Sequence, residues 1–188
     1  MYIDFSKGKW SEDKIVTAYT YRFDQTPPFT QEQDCIRTAV NPQHPEGFDS
    51  ISLLTRDTYT TGVTVTAHCS FTGTGCPEIM IVPEIDACDG VLRYGACFEV
   101  VLYENGINVW RHYRENGECF WHQRLGVEYP VAADAVHELK VQVLKDELHI
   151  WLNGQKNILH TEDIFENFHL GLTACEGITR LYDWDIEI

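Results

Sequence analysis

The sequence predicts an all-β protein in which two antiparallel sheets pack face to face. Apolar and polar residues alternate with a period of two over most of the 188 residues, as in Gly62–Phe71, where Val63 and Val65 share one face with Ala67. Asn-Gly and Asp-Gly pairs separate these runs and supply the positive φ angles that tight hairpins require. About a dozen short strands joined by such turns are typical of a sandwich or a barrel.

Each alternating run is predicted as one strand. The predicted strands are 15–23, 50–55, 62–71, 78–85, 96–103, 107–113, 119–127, 139–144, 148–152, 169–175 and 179–188. The turns between them include Asp89-Gly90, Asn105-Gly106, Asn116-Gly117 and Asn153-Gly154. One helical turn is predicted at 161–167, with Thr161 as its N-cap.

Composition indicates one globular domain over residues 1–188. Apolar residues make up 44% of the chain and charged residues 23%, which are ordinary globular values and exclude disordered, collagenous and coiled-coil proteins. A chain of this length suffices for one well-buried domain. Pro27-Pro28 and the segment 41–45 are interpreted as loops inside that domain.

The protein is strongly acidic, with a formal net charge of −15. This charge repels phosphate backbones and anionic bilayers, so neither nucleic acid nor a membrane is expected as a partner. No apolar run reaches the ~20 residues that a membrane-spanning helix needs. The seven cysteines are odd in number and form no C-x-x-C pair, which favours free thiols in the cytoplasm. Disulfides Cys69–Cys76 or Cys88–Cys97 in an exported protein, with a signal peptide removed, are the alternative.

Two segments near the C-terminus resemble a known fold family. The run 137–154 has the strand, turn, strand and Asn-Gly pattern, and 169–188 has the closing strands, of concanavalin A-like and laminin G-like jelly rolls. The resemblance covers roughly residues 61–188. It implies an all-β, two-sheet jelly-roll sandwich, a fold on which many domains bind sugars.

The segment Pro83–Asp89 resembles the E-I-D-x-x-E motif of laminarinase- and lichenase-type retaining glucanases. The resemblance implies Glu84 as nucleophile and Asp86 as its helper, and it puts Asp89 where that family has a glutamate acid/base. Retaining chemistry needs two carboxyl groups ~5–5.5 Å apart, whereas Asp89 is one methylene shorter and lies in a turn. We therefore expect no catalysis, and name Glu84, Asp86 and Asp89 as the catalytic set only if the protein is an enzyme.

A predicted hairpin carries the side chains expected to bind a ligand. Asn108, Trp110 and His112 alternate on one face of its first strand, and Trp121 and Arg124 follow the Asn116-Gly117 turn on its second. Flat rings can cover the apolar face of a pyranose, and planar amide and guanidinium groups can bind its hydroxyls. One of the two tryptophans is nevertheless expected to fill the core between the sheets.

Glu99 is a charged residue in the apolar run Cys97–Leu102. A buried carboxylate needs a partner, so we expect it either to pair with Arg111 or Arg124 or to face a polar groove. The groove interpretation adds Glu99 to the ligand-binding set.

Metal ligands are sparse in the sequence. The eight histidines show no H-E-x-x-H or Cys/His ligand spacing, so no metal site and no cofactor are predicted. Asp183, Asp185 and Glu187 share one face of the last predicted strand, where a structural calcium ion is possible.

These observations together predict a lectin-like domain that binds a carbohydrate in a groove on its concave sheet, without chemistry of its own. The alternatives are a glycoside hydrolase or polysaccharide lyase on the same fold, or a scaffold that uses the aromatic hairpin as a protein interface. The sugar, the oligomeric state and the enzymatic character stay open at this point.

Overall fold

The computed structural model describes residues 1–8, 10–21, 29–38 and 51–188. Predictions for residues 22, 23 and 50, for Pro27-Pro28 and for 41–45 lie outside these ranges. The described residues form strands β1 (Tyr2–Asp4), β2 (Ile15–Thr20), β3 (Thr30–Gln31), β4 (Ile36–Arg37), β5 (Ser52–Thr55), β6 (Thr64–Thr72), β7 (Cys76–Val82), β8 (Asp86–Cys88), β9 (Val91–Tyr94), β10 (Cys97–Tyr103), β11 (Gly106–Glu115), β12 (Glu118–Glu128), β13 (His137–Val143), β14 (Glu147–Leu152), β15 (Gln155–His160), β16 (His169–Cys175) and β17 (Ile178–Glu187). A single 3-10 turn, Phe5–Lys7, is the helical element among them.

The strands form two sheets, as the sequence predicts. The eight-stranded sheet has the order β15-β14-β13-β6-β17-β4-β3, and β1 also pairs with β17. The nine-stranded sheet has the order β12-β11-β10-β7-β16-β5-β2-β9-β8. Pairing is antiparallel except between β2 and β9. Long-range pairs such as β6 with β17 and β7 with β16 hold the centre of each sheet together.

The main core lies between the two sheets. Alternate residues of facing strands fill it, including Phe98 and Val109 from the nine-stranded sheet and Val65 and Ile150 from the eight-stranded sheet. Trp184 is fully buried in this core. We call the face of the nine-stranded sheet that points away from this core its outer face.

A second apolar cluster covers part of the outer face. It combines Val16, Leu54 and Met80 with Tyr94 and Cys97. The Tyr94 hydroxyl lies 2.7 Å from the hydroxyl of Ser52, which satisfies both buried polar groups. Tyr94 thereby ties β9 to β5, and Cys97 extends the cluster onto the outer face of β10.

Two predicted elements differ from the structure. The strand predicted at 78–85 ends at Val82, because Pro83 has no N–H to continue the ladder. The helical turn predicted at 161–167 is irregular chain. Thr161 Oγ1 accepts the N–H of Asp163 at 3.3 Å, as an N-cap would, but Ile164 and Phe165 pack against the core and the chain does not coil.

All seven cysteines are free thiols, as predicted, so the alternative pairs Cys69–Cys76 and Cys88–Cys97 are not bonded. Within the described ranges, no helix has the length and apolar character to cross a bilayer.

Candidate functional site

The register of β10, β11 and β12 brings the predicted ligand-binding residues together on the outer face. Glu99 lies opposite Trp110, and Cys97 lies opposite His112. Trp110 in turn lies opposite Gln123, and His112 opposite Trp121. Because side chains alternate along a strand, these residues share one face, while their neighbours Phe98 and Val109 enter the core.

Glu99 and His112 form a buried pair at the base of this surface. His112 Nε2 lies 2.7 Å from Glu99 Oε2, and each residue is only 6% exposed. The prediction that Arg111 or Arg124 neutralises Glu99 is wrong. Arg111 lies on the opposite face, with its guanidinium 5.0 Å from the ring centroid of Phe98.

The two tryptophans lie above this pair. Trp121 stacks on the His112 imidazole with a centroid distance of 6.5 Å and an interplanar angle of 24°, and 51% of its surface is exposed. Trp110 is half-buried. The expectation that one of them fills the core is wrong, because Trp184 occupies that position.

An amide pair extends the polar surface. Gln123 Nε2 donates to Asn108 Oδ1 at 2.7 Å. Gly126 makes room for this contact, since a Cβ at that position would lie 2.8 Å from Gln123 Nε2. Gln123 is the residue that the sequence-based set omits. Gln123 lies two residues after Trp121 in the same strand, so alternation alone indicates that the two side chains share a face.

The structure places Arg124 away from this surface, and its role in ligand binding stays a prediction. The ladder between β11 and β12 shifts register at Val109/Trp110, so Arg124 is the extra residue of a β-bulge. Its guanidinium donates to Asp163 at 2.7 Å and to the Tyr113 hydroxyl at 3.2 Å. This contact fastens the 161–163 segment to the sheet.

The Arg124–Asp163 ion pair predicts a small pH dependence of stability. The hydrogen bond from Arg124 lowers the pKa of Asp163, so the pair stabilises the fold above the ordinary carboxyl pKa and this contribution is lost as the pH falls through the lowered value. Asp163 is 43% exposed, so solvent screening limits the contribution to about 0.2–1 kcal/mol. Urea unfolding of Arg124→Gln should therefore show a deficit of that size at neutral pH that shrinks as the pH falls below the ordinary carboxyl pKa. In an Asp163→Asn background the cost of the same substitution should no longer depend on pH, and a deficit that still varies with pH there would contradict the assignment.

The acidic residues of the glucanase-like segment lie in and around strand β8. Glu84 is exposed in the loop after β7. Asp86, in β8, accepts a hydrogen bond from the Tyr21 hydroxyl at 2.8 Å. Asp89 is exposed in the turn with φ 52°, as the Asp89-Gly90 pair predicts. These three carboxylates therefore flank the β8–β9 hairpin and are distributed over a loop, a strand and a turn.

The acidic residues of β17 are partly engaged by other groups. Asp183 Oδ1 lies 2.7 Å from His68 Nδ1, and Asp185 lies 4.0 Å from the amino group of Met1. A calcium ion at Asp183, Asp185 and Glu187 stays a prediction.

One cluster in the described part of the chain has the composition of a metal site. The Cys97 thiol, the Glu99 carboxylate and a ring nitrogen of His112 all lie within 4.8 Å of one another, and all three residues are buried. A cavity of about 10 Å³, the size of a single water, adjoins Cys97 and His112 and is also lined by Tyr94 and Cys119.

Comparison with known proteins identifies the fold but not a family. No protein-family model matches this sequence, and no curated protein is detectably similar to it. The carbohydrate-binding module CBM66 from Bacillus subtilis superposes with a TM-score of 0.68 at 12% identity, over 93% of this chain and 96% of that one. LamAcat from Zobellia galactanivorans gives 0.66 at 12% identity, over 100% and 96%.

A glycoside hydrolase family 16 endo-glucanase from Bacteroides ovatus gives a TM-score of 0.61 at 11% identity, over 100% of this chain and 99% of that one. These similarities confirm the predicted concanavalin A-like jelly-roll sandwich. At such low identity they establish the fold alone.

Proposed function

We propose that this protein binds a carbohydrate through the outer face of β10–β12 and carries out no chemistry there. The observation that carries the proposal is Trp121, which is 51% exposed and stacked on a buried imidazole. An exposed indole held in one orientation loses little conformational freedom when a ligand covers it, so more of the contact energy remains as affinity.

The surrounding groups suit a sugar. Pyranose rings present an apolar face to an aromatic ring and hydroxyls at their rim. Trp110 lies beside Trp121 and adds a second ring for the apolar face of the sugar. The amide groups of Gln123 and Asn108 add hydrogen-bond donors and acceptors for its hydroxyls. Glu99 and His112 are 6% exposed, so we assign them to orienting Trp121 from below.

The comparison proteins support a carbohydrate ligand. They include a carbohydrate-binding module, a glycoside hydrolase family 16 endo-glucanase, and LamA from Zobellia galactanivorans, which was solved with laminaritriose and laminaritetraose. For this chain the lectin-like role is favoured over hydrolysis, because Asp89 stands where the glucanase motif has its acid/base glutamate and lies exposed in a turn.

Titration of the full chain against a glycan panel that includes laminaritetraose and mixed-linkage glucan tests the proposal. Trp121→Ala should weaken binding of the recognised glycan at least tenfold, about 1.4 kcal/mol, because it removes the stacking ring. Trp151→Ala is the matched control, since Trp151 lies on the eight-stranded sheet between Lys140 and Lys156. This variant should bind the glycan like the unaltered protein. Absence of binding to every glycan, or equal binding by Trp121→Ala, would refute the proposal.

The same samples address the two alternatives. We expect the bound oligosaccharides to stay intact, and Glu84→Gln to leave binding unchanged. Product formation that Glu84→Gln abolishes would instead establish a hydrolase or lyase. Sedimentation of the purified protein tests the scaffold alternative. Self-association that Trp121→Ala abolishes would show that the aromatic surface is a protein interface.

A further inference from the structure

We propose that Cys97, Glu99 and His112 form a binding site for one divalent transition-metal ion of the zinc class. This inference does not depend on the carbohydrate proposal. It begins with three different ligand types, one sulfur, one oxygen and one nitrogen, whose donor atoms all lie within 4.8 Å of one another. Tetrahedral zinc ligands, each 2.0–2.3 Å from the ion, lie about 3.3–3.8 Å apart, so the 2.7 Å contact between Glu99 and His112 must lengthen as the ion enters.

The ligands come from two neighbouring strands, which fixes their relative positions. Cys97 and Glu99 point to the same face of β10, and His112 of β11 lies opposite Cys97 in the ladder. Residues two apart on one strand and a partner across the ladder converge without any loop having to order. No sequence motif reveals this arrangement, because His112 is fifteen positions from Cys97.

The charge balance allows an ion in this buried site. Cys97 is 1% exposed and belongs to the apolar cluster around Met80 and Tyr94, and Glu99 and His112 are each 6% exposed. A thiolate, a carboxylate and a neutral imidazole around a dipositive ion sum to zero, so the loaded site buries no net charge. On binding, the Cys97 thiol proton and any proton shared by Glu99 and His112 leave to solvent, and the freed lone pairs bind the ion.

The ligand set also selects the kind of metal. Sulfur and imidazole ligands suit zinc and its neighbours, whereas calcium and magnesium take oxygen ligands. Three protein ligands leave one tetrahedral position open. The cavity of about 10 Å³ beside Cys97 and His112 has room for one water in that position.

The test uses the full chain after treatment with a chelator. Titration with Zn²⁺ should show one equivalent bound, and Cys97→Ser should weaken that binding at least a hundredfold because the thiolate ligand is lost. Cys119→Ser is the matched control, since Cys119 lines the same cavity but lies outside the three-ligand group; its Zn²⁺ affinity should stay within twofold.

A second measurement keeps the test decisive if Cys97→Ser does not fold. Co²⁺ added to the unaltered protein should produce the intense near-ultraviolet absorption of a thiolate-to-metal charge transfer, and excess Zn²⁺ should remove it. Substoichiometric Zn²⁺ binding, absence of the Co²⁺ band, or a Cys97→Ser protein that folds and binds Zn²⁺ as the unaltered chain does would each overturn the proposal. None of these readouts involves a glycan.

Discussion

Replacing His112 by leucine is expected to destabilise the fold by about 3–5 kcal/mol, because it leaves a buried carboxylate without its partner. Glu99 is 6% exposed and its bond to His112 is 2.7 Å long. Bulk solvent does not hydrate a carboxylate that is so deeply buried. Urea unfolding in the presence of a chelator measures the loss free of any metal contribution.

The double variant Glu99→Leu/His112→Leu separates charge from packing. Replacing both members of a buried ion pair by apolar groups is often neutral or stabilising, so this variant should recover most of the stability that His112→Leu loses. A double variant no more stable than His112→Leu would show that shape, and not the unpaired carboxylate, sets the cost. A loss below about 1 kcal/mol for the single variant would mean that Glu99 reaches solvent.

The second large effect is expected at Trp184. Trp184→Ala should cost about 3–5 kcal/mol, because the side chain is fully buried between the sheets and its removal leaves a cavity. The indole Nε1–H has no acceptor among the described residues. Trp184→Phe removes that unsatisfied donor and keeps most of the ring, so it should cost less than half as much in the same urea measurement.

Trp151→Ala serves as the control for Trp184 as well. Trp151 is half-buried on the outside of the eight-stranded sheet, and its replacement should cost less than about 1 kcal/mol. Equal losses for Trp151→Ala and Trp184→Ala would contradict the view that Trp184 is the central core residue.

Alternation predicted the fold class and much of the candidate site. Asn108, Trp110 and His112 share the outer face because β11 follows its period of two over this stretch. The same rule excludes Arg111 as a partner of Glu99, since Arg111 lies opposite Phe98 and not opposite Glu99. Alternation in β10 and β11 is compatible with Glu99 and His112 sharing one face. Identifying His112 as the partner of Glu99 also requires the strand register, which is not visible in the sequence.

Bulges explain most of what the sequence did not reveal. The extra residue at Arg124 reverses the alternation for the residues after it in β12, so counting from Trp121 places Leu125 on the outer face, although it lies opposite Val109 and packs against the core. A similar shift between Leu181 and Asp183 in β17 directs both Leu181 and Trp184 into the core. A bulge depends on packing against neighbouring strands, which no local pattern encodes.

The position of β17 sets when the protein can fold during synthesis. This strand lies between β6 and β4, and its pairs with β6 join residues more than a hundred positions apart, such as Thr72 and Ile178. Closing such long loops costs chain entropy before the native contacts form, so β-sandwiches of high contact order fold slowly. The eight-stranded sheet therefore stays split into two halves until residues 178–187 have left the ribosome, and until then the nascent chain exposes apolar strand faces that chaperones can recognise.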